Sequence, residues 1–189
     1  MPEGAEFRCE LCEGLSLKFE TVIPLGRYEG ELRSAVLRMK RPSGEALSAA
    51  MGHVLGRRRR RELLRFEPDL VVPIPMFWAR RLRRGTNSPE ILAESVASLL
   101  RRSPCVGVLV RRRNTVPQAD LPPRERFRNV RGAFGLKPGY NFSGLRVLLV
   151  DDILTTGATC SEAARTLREG GATAVAAAVV ARAQGADTA

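Results

Sequence analysis

Lysine is nearly missing from this chain of 189 residues: of 31 basic side chains only Lys18, Lys40 and Lys137 are lysines, and the rest are arginine. Tryptophan and histidine occur once each, and aromatic residues make up 5%. No apolar run approaches the roughly 18 residues of a membrane span, which excludes a helical membrane protein. The start, MPEGAEFRCELCEG, lacks a basic stretch followed by an apolar one. It therefore does not read as a secretory signal, and a cytoplasmic location is the expectation. Of four cysteines only Cys9 and Cys12 form a spaced pair. Thiols are expected rather than a disulfide framework, with Cys105 and Cys160 as ordinary buried small residues. No internal repeat is visible, and no Gly-Lys-Ser/Thr stands at the spacing of a Walker A loop.

What the chain has instead is arginine in clusters: 57–61, 80–84, 111–113 and 124–131. The planar guanidinium fork matches phosphate oxygens, so a formal net charge of +11 points to nucleic acid or a phosphorylated small molecule. An arginine-biased genome accounts for the lysine shortage but less readily for the clustering. For any single run, a solvated surface is the ordinary role. Phe66, Phe77 and Trp78 are the aromatics near the basic runs, and core packing is their ordinary use.

The length suits one core with a small appendage, taken as an N-terminal segment over 1–27 and a domain over 28–189. From Tyr28 to Leu64 apolar residues recur at helical spacing on both sides of a break at Arg41–Gly44, which predicts two helices. DLVVPIP (69–75) reads as a short buried strand ended by prolines, followed by a basic loop. Ser88 and Pro89 start another helix. VGVLV (106–110), RVLLV (146–150) and AVAAAVVA (174–181) read as further buried strands. Continuous apolar strands separated by helices imply an α/β fold with a mostly parallel sheet covered on both faces. The stretch Arg111–Phe142, rich in Arg, Pro and Gly, reads as an irregular excursion of the kind that forms a lid or binding loop.

The most informative stretch is VLLVDDILTTGAT (147–159). The strand is expected to end at Val150, and Thr159 with Glu162 makes a capping box that starts a helix near Cys160. Residues 151–159 then form the loop at the carboxyl end of a parallel strand, where open α/β sheets bind ligands. Thr155, Thr156, Gly157, Ala158 and Thr159 offer amides and hydroxyls to an anion. Asp151 and Asp152 would repel a bare phosphate, so they make sense beside a ligand with vicinal hydroxyls or a divalent cation. A ribose 5-phosphate has the hydroxyls. The plain alternative is that the two acids only end a strand and cap a turn.

This stretch resembles, position for position, the phosphoribosyl-pyrophosphate (PRPP) signature of type I phosphoribosyltransferases. YEGELRSAVLRMK, DLVVPIPMFWARRLRRGTN and RRRNTVPQADLPPRERFRNVRGAF extend the resemblance to the ComF family, associated with DNA uptake in competent bacteria, over Tyr28–Arg182. The resemblance implies a type I phosphoribosyltransferase-like fold with a basic hood, Asp151 and Asp152 as catalytic acids on the ribose, residues 155–159 on the 5-phosphate, and Mg²⁺ bound with PRPP. Arg80, Arg84, Arg124, Arg126 and Arg128 are the candidates for pyrophosphate or nucleic acid. Implied partners are PRPP or a nucleotide, single-stranded DNA and a DNA-uptake helicase. The family's N-terminal zinc-ribbon-like segment has two cysteine pairs. Here only Cys9 and Cys12 remain, half of a tetrahedral zinc site, so the ribbon is lost, the true start lies upstream, or the pair is vestigial. Lone His53 falls in a helical pattern and reads as packed or exposed rather than as a ligand. Two functions follow: binding of PRPP or a nucleotide in the service of DNA uptake, or turnover of a base and PRPP to a nucleotide. A ligand-sensing regulator without chemistry is a third.

Overall fold

A computed structural model describes residues 16–183. Cys9 and Cys12 lie outside them, so the zinc expectation falls outside the described residues. The elements are β1 (Thr21–Arg27), α1 (Gly30–Met39), α2 (Glu45–Arg58), α3 (Arg60–Phe66), β2 (Leu70–Pro73), α4 (Trp78–Arg84), α5 (Ser88–Leu100), β3 (Ser103–Pro104), β4 (Leu109–Arg111), α6 (Pro123–Val130), β5 (Phe134–Leu136), β6 (Arg146–Leu154), α7 (Ala158–Glu169) and β7 (Ala174–Arg182). Five strands form a parallel sheet in the order β1-β7-β6-β2-β3, and β4 and β5 pair separately and antiparallel.

Side-chain alternation along β6 divides the core in two. Val147 and Leu149 face α7 and the excursion, among Val130, Phe134, Phe142, Ala163 and Leu167. Leu148 and Val150 face the other layer, among Val36, Met39, Leu55, Leu63, Leu92 and Val96. Leu149 is fully buried, and cutting it to alanine would cost about 2–5 kcal/mol. No helix among the described residues is long and apolar enough to cross a membrane.

Several sequence expectations change here. TVIPLGR, within the segment taken as an N-terminal appendage, is a strand of the sheet, although Pro24 and Gly26 are poor strand residues. Its ladder with β7 skips Leu25, the residue after Pro24. The run Tyr28–Leu64 makes three helices, since Arg59 interrupts the second. VGVLV is not a strand of the parallel sheet. Only Ser103–Pro104 pairs with β2, then Gly107, at φ +80, turns the chain so that Leu109–Arg111 starts the separate hairpin-like sheet. The basic loop after β2 contains α4, and the irregular excursion contains α6.

Candidate functional site

The sheet's carboxyl edge is built where β6 runs past its expected end. Asp151, Ile153 and Leu154 still pair with β7, so both acids lie inside the strand rather than in a loop. Alternation then sends neighbouring carboxylates to different faces. Asp152 is buried and its Oδ2 stands 3.3 Å from Nζ of Lys40, the residue that caps α1. Asp151 lines the pocket over the turn into α7. The ladder skips Asp152, whose N–H donates instead to Asp151 Oδ1 at 2.8 Å. Burial, and next the negative charge of Asp152, push the Asp151 carboxyl up to about 8, against the opposing pull of Lys40 and Arg111. Although Asp151 keeps some contact with solvent, it is mainly a protonated acid near neutral pH.

After Leu154 the chain turns over Thr155, Thr156 and Gly157. Gly157 sits at φ +80, the left-handed region, and is the N-cap of α7. A side chain there would also stand 3.4 Å from Phe19 and 3.5 Å from Leu17. The expected capping box does not form: α7 starts at Ala158, which puts Thr159 inside the first turn. Glu162 instead accepts from the Gly132 N–H at 2.6 Å and from Arg165 at 2.7 Å, anchoring the excursion to α7. The first regular bond of the helix comes from the Ser161 N–H to Gly157 O, and Ala158 N–H donates only to Thr156 Oγ1 at 3.4 Å. Among the described residues no carbonyl accepts from the amides of Thr155, Thr156, Gly157, Thr159 or Cys160. Five amides at a helix N-terminus, where the macrodipole is positive, make an anion cradle.

The space over this cradle is about 20 Å³, room for about one water. Gln118 from the excursion covers it, its Nε2 lying 3.4 Å from Thr159 Oγ1 while Oε1 accepts from Asn129 at 2.9 Å. A phosphate-bearing sugar therefore needs Gln118 displaced.

The candidate arginines scatter. Arg80 on α4 donates to Thr115 O, and Arg84 ends the same helix. Arg124 is exposed on α6, and Arg128 stands 3.7 Å from Glu125 with its side chain open to water. Arg126 is buried, its Nε bonded to Leu121 O at 3.0 Å, so it holds the excursion together. Arg111 belongs to the arginine cluster 111–113, expected at nucleic acid or a phosphorylated small molecule. The structure brings it to Asp151 instead. Its guanidinium donates to Thr115 Oγ1, lies 5.4 Å over the Phe134 ring, and has a buried Nε that finds no partner among the described residues. Burial and then the charge of Arg80 lower its pKa, while Asp151 raises it. Two guanidiniums on one threonine beside a carboxylic acid form a cationic pair suited to a polyanion. No spacing rule singles out Arg111, because its neighbours in sequence are arginines too. The β2 loop runs alongside, with Ile74 N–H bonded to Val150 O and buried Thr86 holding an unpartnered hydroxyl.

His53 is exposed and its Nδ1 meets only Ala49 O within its helix. Cys160 is buried and Cys105 half-buried. Among the described residues no group of three or more His, Cys, Asp or Glu is placed to hold a metal ion.

The phosphoribosyl transferase domain family matches residues 87–189, which include the cradle and the excursion. Competence protein F of Haemophilus influenzae is 33% identical over 54% of this chain and 45% of its own length. The DNA utilization protein YhgH of Salmonella typhimurium is 30% identical over 88% of this chain and 74% of its own length. The chain thus spans about half of the first relative. A solved structure of the allosteric regulatory enzyme of purine biosynthesis aligns at 26% identity over 70% of this chain and 26% of that one, with a TM-score of 0.47.

Proposed function

Because this chain belongs to the phosphoribosyl transferase domain family and is of the ComF type, we propose that it binds PRPP or a nucleotide at the β6–α7 turn and serves DNA uptake through single-stranded DNA. The observation that carries the binding reading is the set of five unbonded amides at the start of α7, directly beside Asp151. They receive the 5-phosphate, and Thr155, Thr156 and Thr159 add hydroxyls. Asp151 takes the ribose hydroxyls. Asp152, neutralised by Lys40, keeps that end of the strand in place.

The donor set fits magnesium arriving with its ligand. One carboxylate together with phosphate oxygens and water is an ordinary environment for Mg²⁺, which seldom uses an all-protein cage. Asp151 would hold it, and the ion would neutralise charge on the diphosphate. Arg80 and Arg111 face the diphosphate from the other side.

For DNA, the support is the printed names of the relatives and the excess of arginine over the surface. Calorimetric titration of PRPP, a nucleoside monophosphate and a short oligonucleotide, each with Mg²⁺, tests the whole reading. Micromolar binding of PRPP that the Asp151→Asn variant lacks is the expected result. Indifference of the protein to all three ligands refutes it.

Turnover is the second reading, favoured by the Arg80–Arg111 pair, which is suited to charge growing on a leaving diphosphate. Release of pyrophosphate on adding a panel of bases supports it, and no release with any base removes it.

A further inference from the structure

Trp78 opens α4 with 65% of its surface exposed, and Leu82, one turn on, is 76% exposed. Both project from a seven-residue helix, WARRLRR, whose remaining residues are one alanine and four arginines. Core packing, the ordinary use of a tryptophan, is not the use made of this one. The ring is nevertheless held. Phe77, half-buried, lies against it with centroids 5.6 Å apart and planes at 44°. Arg81 beside it is pinned by Glu90 at 2.6 Å, and Arg80, on the opposite side of the helix, is tied to Thr115. The result is an indole propped on one side by Phe77 and largely open to solvent, on a helix rich in arginine.

Resting on the reading that this chain contacts single-stranded DNA, we propose that Trp78 is a stacking platform for an unpaired base. Leu82 extends its apolar floor, and Arg81 and Arg83 meet the adjacent phosphates. A nucleobase has the size and flat face that one exposed indole can cover, and stacking is indifferent to sequence. Duplex DNA hides those faces. An apolar protein partner would have to cover Arg83, which no acidic residue on α4 offsets, and Arg81, which only Glu90 of α5 pairs. A helix with two apolar side chains over seven residues is too short to lie in a lipid surface as amphipathic anchors do. Charge complementarity therefore selects the polyanion. The platform is on the outer side of the same helix that carries Arg80 inward, so DNA and sugar phosphate are held by two sides of one element.

Trp78 is the single tryptophan of the chain, so its intrinsic fluorescence reports on the platform alone. A twelve-nucleotide oligo-dT with a terminal dye is titrated at low salt, reading dye anisotropy and tryptophan emission together. Expected are quenching that saturates with the anisotropy, a loss of affinity of about tenfold in Trp78→Ala, and retention of most of it in Trp78→Phe. Binding by anisotropy with unchanged emission and unchanged affinity in Trp78→Ala overturns the platform while leaving DNA binding in place. No binding by anisotropy removes the DNA reading and the platform with it. Equal binding and quenching by the duplex, or stronger quenching by vesicles of anionic phospholipid than by the oligonucleotide, also overturns the assignment.

Discussion

Asp151 and Asp152 are adjacent in β6 and yet look to different faces of the sheet: Asp152 meets Lys40 at 3.3 Å, while Asp151 opens onto the turn into α7. The strand's alternation separates two roles that a loop would have merged. One acid remains paired with a cation and supports the strand. The other, with burial and the first acid's charge raising its pKa, is poised to change protonation when a ligand arrives. Environments that push neighbouring carboxyls apart are how proteins assign distinct roles to chemically identical groups.

With its pKa near 8, folded Asp151 keeps a proton that the unfolded chain releases above about pH 4. The folded state therefore binds more protons between these values, and stability falls as pH rises through that window. Asparagine imitates the protonated acid. The melting temperature of Asp151→Asn relative to the unmodified protein should climb between pH 5 and pH 9, and a flat difference would show that this carboxyl is ionised throughout. Binding of Mg²⁺ with PRPP should release a proton at pH 7, visible as a calorimetric enthalpy that changes with the ionisation heat of the buffer.

Replacing Lys40 by methionine leaves Asp152 buried without its cation. The expected loss is about 1–3 kcal/mol, moderated by the partial exposure of Lys40. Urea denaturation at pH 7 checks it, and Lys40→Arg should restore most of the loss. Equal midpoints for all three proteins would mean that the pair contributes nothing.

Gly157→Val forces a β-branched residue into the left-handed region and toward Phe19 and Leu17. About 1–3 kcal/mol of stability should go, and phosphate binding with it, since the turn's amides lose their common direction. Thermal melts and a titration with ribose 5-phosphate read the two effects separately. Gly157→Ala should fall between.

Arg111→Met relieves the crowding with Arg80 and removes a buried donor that has no partner. Stability should therefore stay level or rise. PRPP affinity should fall by about tenfold while that of ribose 5-phosphate barely moves, because only the former carries the diphosphate. A parallel drop for both ligands would place Arg111 at the sugar instead.

Of the four buried segments that read as strands in the sequence, those around Val71, Leu148 and Ala177 are the centre of the sheet, because continuous apolar runs have few other uses. The turn between β6 and α7 was legible for a similar reason: strand, acids, threonines and glycine stand next to one another in the chain. What failed was competition between local signals and tertiary pairing. Pro24 and Gly26 are poor strand residues on local grounds, but β7 offers TVIPLGR a partner that tolerates one missing rung. Thr159 and Glu162 had the spacing of a capping box, but Gly132 on the excursion claims that carboxylate. The exposure of Trp78 and the approach of Arg111 to Asp151 depend on where α4 and β4 settle, which no window of neighbouring residues encodes.

Among the described residues, the first strand of the sheet, Thr21–Arg27, has β7 as its one neighbour, and β7 is the last strand described. During synthesis, then, Thr21–Arg27 must wait until Ala174–Arg182 has emerged, its apolar face uncovered meanwhile. Sheet completion depends on joining segments far apart in sequence, the kind of closure that slows folding. Stalled or truncated translation products should be natural clients for holding chaperones.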